Sequence, residues 1–161
     1  MIPAITVCVG AVVRRDDQVL FVRQTYGDNL TGVWTLPWGY VDGVDPNNQL
    51  EPPHMAALRE VLEEGGITAD IEGFLGLQNH AAPSGDLRLY LLYLCRHRSG
   101  DPTPDGHETD RAAYFSLDDL ASLSDPIDDF CVWLVCRVLR GEFHLIPPNL
   151  ANPYAPHAAF L

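Results

Sequence analysis

Positive charge is scarce in this sequence. Ten Lys and Arg residues stand against 22 Asp and Glu, a formal net charge of −12 at pH 7. Such an acidic chain is a poor match for sequence-independent binding of nucleic acid, which depends on Lys and Arg neutralising phosphates. A small anionic ligand stays open, provided a divalent cation stands between it and the acidic groups. Cysteine is also sparse. Cys8, Cys95, Cys131 and Cys136 lie in apolar surroundings and form no C-x-x-C pair. That argues against a zinc or thioredoxin-like centre and points to buried, reduced thiols in a cytoplasmic protein. No long hydrophobic run is present. The opening MIPAITVCVGAVVRRDD has no basic start, and its apolar part meets charge too soon to span a membrane. The expectation is therefore neither a signal peptide nor a transmembrane segment. Internal repeats are lacking too.

The 161 residues, 47% hydrophobic and 20% charged, suit one soluble domain with a sizeable core. Residues 4–13 and 19–24 are rich in β-branched and apolar side chains and read as a hairpin about the polar break at 15–18. VWTLP, 33–37, reads as a short extended piece. GYVDGVDPNNQLEPP is dense in turn residues and reads as loop. Residues 52–65 read as a helix, opened by Pro52 and Pro53 and closed by Gly65 and Gly66. Strands are expected at 68–79 and 87–96, the second nearly all apolar and so central. A polar loop at 98–109 leads to a strand at 112–115, with Ser116 as a helix N-cap. A second amphipathic helix is expected at 127–140, with Asp128 and Asp129 in its first turn and Arg137 and Arg140 in its last. This order suggests an α/β or α+β fold, a mixed sheet covered by helices. The domain is placed at 1–142. The Pro-rich tail at 143–161 is read as an arm on the body, an arm on the partner chain of a homodimer, or disorder.

One stretch carries chemistry: AALREVLEEGGI, from Ala56 to Ile67. At about 100° per residue, Glu60, Glu63 and Glu64 share an arc of about 100°, with Arg59 beside Glu63. Leu58 and Leu62 fall opposite, so the expectation is a core face against a carboxylate face. Like charges at i,i+4 destabilise a helix. A cluster of this kind suits a hard cation such as Mg²⁺, which takes carboxylates and substrate phosphates as ligands. Arg59 is suited to fix Glu63 by a bidentate ion pair.

In context the stretch reads G-x11-E-x7-R-E-V-L-E-E-G-G-I, from Gly39 through Glu51 to Ile67. It resembles the box of the Nudix family, G-x5-E-x7-R-E-u-x-E-E-x-G-u, with u an aliphatic residue. Every fixed position from Glu51 onward matches. The resemblance implies a mixed sheet sandwiched between helices and Mg²⁺-dependent (or Mn²⁺-dependent) hydrolysis of a pyrophosphate in a small nucleoside diphosphate derivative or triphosphate. Its implied metal ligands are Glu60, Glu63 and Glu64, with the Gly39 carbonyl as a further one. Arg59 maps to the arginine that orients a glutamate, and Glu51 to a structural or assisting glutamate. A general base outside the box is implied in the loop PDGHETDRAAYF. Glu108 is the candidate there, with Asp110 and His107 as fallbacks. A non-catalytic nucleotide sensor on the same fold is the alternative.

Two departures stand out. The family's Pro-Gly-Gly is Pro37-Trp38-Gly39 here, which sets an indole beside the metal loop. The first spacing carries about six extra residues, and Asp45 falls where the first glutamate is expected if the insertion follows it; the intact x7 to Arg59 favours Glu51. Candidate substrate contacts are Arg23 and Arg88 for phosphates, and Tyr26, Trp34 and Trp38 for stacking on a base. Pro83 lies near where some ADP-ribose hydrolases of the family carry a proline.

Overall fold

The computed structural model describes residues 5–27, 29–43, 49, 51–81, 85–154 and 158–161. Asp45 and Pro83 lie outside them. The expected hairpin forms from β1 (Ile5–Arg15) and β2 (Gln18–Gln24), joined through Asp16 at φ 55°. Aspartate tolerates this left-handed conformation better than most residues. The piece at 33–37 is not one strand. It divides into β3 (Trp34–Thr35), paired with β2, and β4 (Trp38–Tyr40), paired with β1. Pro37 lacks an N–H and cannot continue a ladder, and its carbonyl accepts from Ala11 N as the chain crosses from one strand to the other.

Helix α1 (Pro53–Gly65) follows, then β5 (Thr68–Ala81), β6 (Leu87–Ser99) and β7 (Thr109–Phe115). The path through the mixed sheet runs β3-β2-β1-β6-β5, with β4 on β1 and β7 on β2. Strand β6 is internal as expected, parallel to β1 and antiparallel to β5. Helix α2 (Leu117–Ser122) starts at the predicted cap, where Ser116 and Asp119 form a reciprocal capping box. Helix α3 (Asp129–Leu139) starts later than expected. Asp128 is its N-cap rather than a first-turn residue and accepts from Cys131 N.

Alternation along the strands sends side chains to two cores. Val9, Ala11, Val13, Leu20, Tyr93 and Cys95 face α1. Val12, Val19, Phe21, Leu92 and Leu94 face α3, through Leu134, Val135 and Val138. The sheet is thus sandwiched between helices. The four cysteines are free, and no helix among the described residues is long and apolar enough to cross a membrane.

The face of α1 departs from expectation. Its buried residues are Ala56, Ala57, Glu60, Val61, Glu64 and Gly65, whereas Leu62 is 52% exposed. Small residues let the helix lie close to the sheet: a Cβ on Gly65 would stand 2.8 Å from Leu20 Cδ2. That contact turns two glutamates inward and Leu62 outward. The helix ends at Gly66, φ 70°, whose N–H bonds Leu62 O. The described tail packs on the body. Ile146 pairs with Phe74 on edge strand β5, and Phe160 lies against Phe74, Tyr93 and His54.

Candidate metal centre and active site

Strand β1 shares one edge between β2 and β4, and α1 lies across the gap. Gly39 of β4 sits beneath Glu60, where a Cβ would come within 2.1 Å of the Glu60 carboxyl carbon. Glycine is therefore required there by close approach. Gly43 makes the same room for Glu51, at 2.2 Å from Oε1.

Arg59 is the hub on one side. Its Nε donates to Glu51 Oε1 at 2.7 Å. One terminal nitrogen donates to Glu60 Oε1 at 2.7 Å and Glu63 Oε2 at 2.9 Å. The other donates to Tyr40 O at 3.0 Å. The expected Arg59–Glu63 pair is present as a single contact rather than a bidentate one, because the same guanidinium also holds Glu51 and Glu60. Glu64, fully buried, is fixed from the other side. Trp38 N donates to its Oε2 at 2.9 Å, and Gln24 Nε2 to its Oε1 at 3.1 Å. The Thr109 hydroxyl donates to the Glu64 carbonyl at 2.8 Å.

Carboxylate oxygens of Glu60, Glu64 and Glu108 lie within 4.8 Å of one another. Glu108 therefore arrives from the loop before β7, as its position in PDGHET suggested. Glu63 is outside this trio and half exposed, with Oε2 on Arg59. Burial, reinforced by Glu63 and Glu108 and opposed by Arg59, pushes the Glu60 carboxyl up to about 7. Burial likewise pushes Glu64 up to about 8, against the Trp38 N–H and Gln24. Two buried carboxylates and the exposed Glu108 converge here, with Arg59 balancing only Glu60, an arrangement that a cation would stabilise. The all-oxygen donor set fits a hard divalent ion. Gly39→Ala displaces Glu60, so the rise in melting temperature on adding Mg²⁺ is expected to need at least about tenfold more of the ion.

Other expected contacts are placed differently. Arg23 is held by Asp110, through Nε at 2.8 Å and a terminal nitrogen at 2.6 Å, with Asp125 at 3.7 Å. Its guanidinium ties β2 to β7 through Asp110. Trp34 is buried at 4% exposure, with Nε1 donating to Asp125, so it has no free face for a base. Trp38 and Tyr40 flank Gly39 and so point to the sheet face away from α1. There Trp38 meets Tyr40 and Tyr90, with ring centroids 6.1 and 6.0 Å apart, and Arg88 hydrogen-bonds Tyr90. Tyr26 lies among the acidic groups: burial first, then Glu108, Glu64 and Glu60, push its hydroxyl up.

Sequence reasoning missed Gln24, Thr109 and Asp105. Asp105 accepts from the N–H groups of His107, Glu108 and Thr109 and so shapes the loop that carries Glu108. Partial burial works against its charge, but these donors hold its carboxyl below the usual range. The signal was an Asp opening a turn before Gly106. For Gln24 it was a polar residue closing a strand of buried apolar ones.

The arrangement has counterparts. Residues 4–133 match the model of the NUDIX domain. The chain belongs to the Nudix family. The NAD-capped RNA hydrolase NudC of Escherichia coli O9:H4 (strain HS) is 31% identical over 124 residues, 77% of this chain and 44% of that protein. The chain thus spans less than half the length of the curated relatives it matches. Among solved Nudix structures, a MutT NUDIX hydrolase from Burkholderia pseudomallei is 28% identical, with a TM-score of 0.68 over 84% of this chain and 98% of that one. A NUDIX hydrolase from Nitrosomonas europaea is 25% identical, also with a TM-score of 0.68, over 89% and 94%. The expected box from Glu51 to Ile67 therefore lies within the matched Nudix domain.

Proposed function

We propose that this Nudix chain is a divalent-cation-dependent pyrophosphohydrolase acting on a small nucleoside diphosphate derivative or nucleoside triphosphate in the cytoplasm. The observation that carries the reading is the convergence of Glu60, Glu64 and Glu108 within 4.8 Å beside the Arg59 fork. Glu60, Glu64 and Glu63, with the Gly39 carbonyl, would hold Mg²⁺ or Mn²⁺. When bound, the ion neutralises phosphate charge, acidifies water and stabilises the leaving oxygen. Arg59 keeps Glu60 and Glu63 in place, and Gln24 and the Trp38 N–H keep Glu64 in place. A Glu108 carboxylate oxygen takes a proton from the attacking water. The water oxygen forms a new bond to one phosphorus, the bridging P–O bond breaks, and the other phosphate departs with that oxygen. Tyr26, beside the carboxylates, is an aromatic side chain available to the nucleoside, whereas Trp38, Tyr40, Tyr90 and Arg88 gather on the opposite face of the sheet.

As base, Glu108 has a distinct signature. Glu108→Gln is expected to lower kcat about 10²-fold while the Mg²⁺ concentration that half-activates the enzyme stays put. A shift in that concentration instead would make Glu108 a ligand.

The test of function is turnover with Mg²⁺ against nucleoside triphosphates, oxidised triphosphates, nucleotide sugars, ADP-ribose, NADH and dinucleoside polyphosphates. Two further arms are NAD and NAD-capped RNA, because one relative is named for the capped RNA. The net charge of −12 favours the free nucleotide over the long chain. Affinity without products across the panel would instead make the protein a nucleotide sensor.

The buried carboxylates also give a pH signature. Their folded values, about 7 for Glu60 and about 8 for Glu64, lie above the ordinary 4.5. The stability they confer on the cation-free protein is present below pH 4.5 and is lost as pH rises through 7 and 8. In a chelator, the denaturation midpoint of the native chain should therefore fall more between pH 5 and 8.5 than that of the Glu60→Gln/Glu64→Gln double variant. Equal slopes would contradict the burial argument.

A further inference from the structure

Four of the ten basic side chains, Arg14, Arg15, Arg96 and Arg98, lie at one end of the sheet, at the close of β1 and of β6. The parallel register sets Arg14 directly beside Arg96. Like charges on neighbouring strands repel, and compensation is incomplete. Arg14 reaches Glu72 at 3.3 Å, and Arg96 and Arg98 share Asp70 at 3.7 and 3.8 Å. Arg15 makes no ion pair among the described residues. Its guanidinium lies over the Tyr114 ring, 3.9 Å from the centroid, and the Tyr114 hydroxyl bonds His97 Nδ1 at 2.8 Å.

These groups line a concavity. Arg14, Arg15, Asp16, Glu72, Arg96 and His97 line an open cleft of about 360 Å³, within the range that holds small ligands. It is separate from the carboxylate centre. Arg15 lies six residues along β1 from Val9, the partner of Gly39, or about 20 Å at strand spacing. Stacking on Tyr114 holds the Arg15 plane while leaving its N–H edges to pair with an oxyanion. Four arginines, Arg98 included, against Asp16, Asp70 and Glu72 leave an excess of one positive charge. On a chain otherwise so acidic, that suits one phosphate group and not a polyanion.

We infer that this cleft is a second ligand site, which binds a phosphate group of a small molecule through Arg15, Arg96 and Arg14. The group belongs either to free inorganic phosphate or to a phosphomonoester. The site does not depend on the cation centre, and its test is made without cation.

The experiment is calorimetric titration of the full chain in a chelator, with inorganic phosphate in one arm and AMP in the other. Saturable one-to-one binding is expected. Arg15→Gln and Arg96→Gln should each weaken it at least about tenfold, the loss of one charge-assisted contact. Arg137→Gln, on α3, and Glu64→Gln should leave it unchanged. Tighter binding of AMP would assign the site to phosphomonoesters, and tighter binding of phosphate to the free ion. Lack of saturation, or equal binding by the native chain and the folded Arg96→Gln variant, would overturn the inference. Retained binding together with a failed nucleotide screen would leave the second site standing and remove the catalytic reading.

Discussion

Glu64→Gln is expected to lower kcat/KM by at least about 10²–10³-fold, the scale of losing a preorganised electrostatic contact in a closed site, and to raise the melting temperature of the cation-free protein. Both effects have one origin. Glu64 is fully buried, and burial pushes its carboxyl up to about 8, so at neutral pH folding must protonate a group that is ionised in the unfolded chain. The neutral amide removes that cost. Its geometry is accommodated as well. Gln24 Nε2 now donates to Thr35 and Glu64, while Gln24 Oε1 has no hydrogen-bond partner. Turning the Gln24 amide over lets its oxygen accept from the amide introduced by the substitution and from the Thr35 hydroxyl, so the two present bonds keep their partners while the Gln24 NH2 takes the unpartnered place. The new side chain keeps an oxygen for the Trp38 N–H. A more stable protein without turnover marks a residue kept for chemistry at the expense of stability. A variant that turns over within tenfold of the native chain would contradict the role given to Glu64. A variant that melts lower would contradict the account of its burial.

Arg59→Ala is expected to cost about 3 kcal/mol, the low end for stripping a partner from buried charges, and roughly 6–12 °C in melting temperature at this size. Removing the guanidinium leaves Glu51, with 14% of its side chain exposed, and Glu60, with 7%, facing each other without a cation. It also frees the Tyr40 carbonyl and Glu63. Turnover should fall with stability, since Glu60 and Glu63 lose their positions. Lysine is not expected to rescue it. One ammonium cannot serve Glu51, Glu60, Glu63 and Tyr40 O with the geometry of a fork. Denaturant melts of Arg59→Ala and Arg59→Lys decide this. A loss under about 1 kcal/mol, the value of an exposed pair, would show that the fork is ornamental to the fold.

Much of this architecture was legible in the sequence, because the strands are continuous apolar runs and the helix ends carry Pro, Gly and Ser-x-x-Asp signals. The box was legible because its spacing from Glu51 to Ile67 is intact. The orientation of α1 was not. Weight was placed on Leu58 and Leu62, the two largest apolar side chains. The helix instead packs through Ala57, Val61 and Gly65, whose smallness permits close contact with β2 but gives little hydrophobic signal. With Glu60 at 0°, the buried arc runs from Ala56 near about −40° to Gly65 near about 140°, and the two leucines fall at its far margin and beyond. Glu60 and Glu64 thus lie on the buried side, which is why their carboxyls are perturbed. Gln24 and Asp105 were illegible for different reasons. Gln24 reaches Glu64 from 40 residues away, and only the fold brings them together; Asp105 acts locally, through a turn that shapes the loop carrying Glu108. Arg23 and Trp34 are candidate ligand contacts by residue type, and the sequence does not show that the fold pairs them with Asp110 and Asp125.

The central claim is that these carboxylates serve a cation-dependent attack of water on a pyrophosphate. The most direct measurement is mass analysis of the products in ¹⁸O-water, using the substrate that the nucleotide screen identifies, with Mg²⁺ and with a chelator, for the native chain and Glu64→Gln. The account predicts one ¹⁸O atom in one of the two phosphate products, only with Mg²⁺ and only for the native chain. Label incorporated equally in the chelator, or equally by Glu64→Gln, would contradict it.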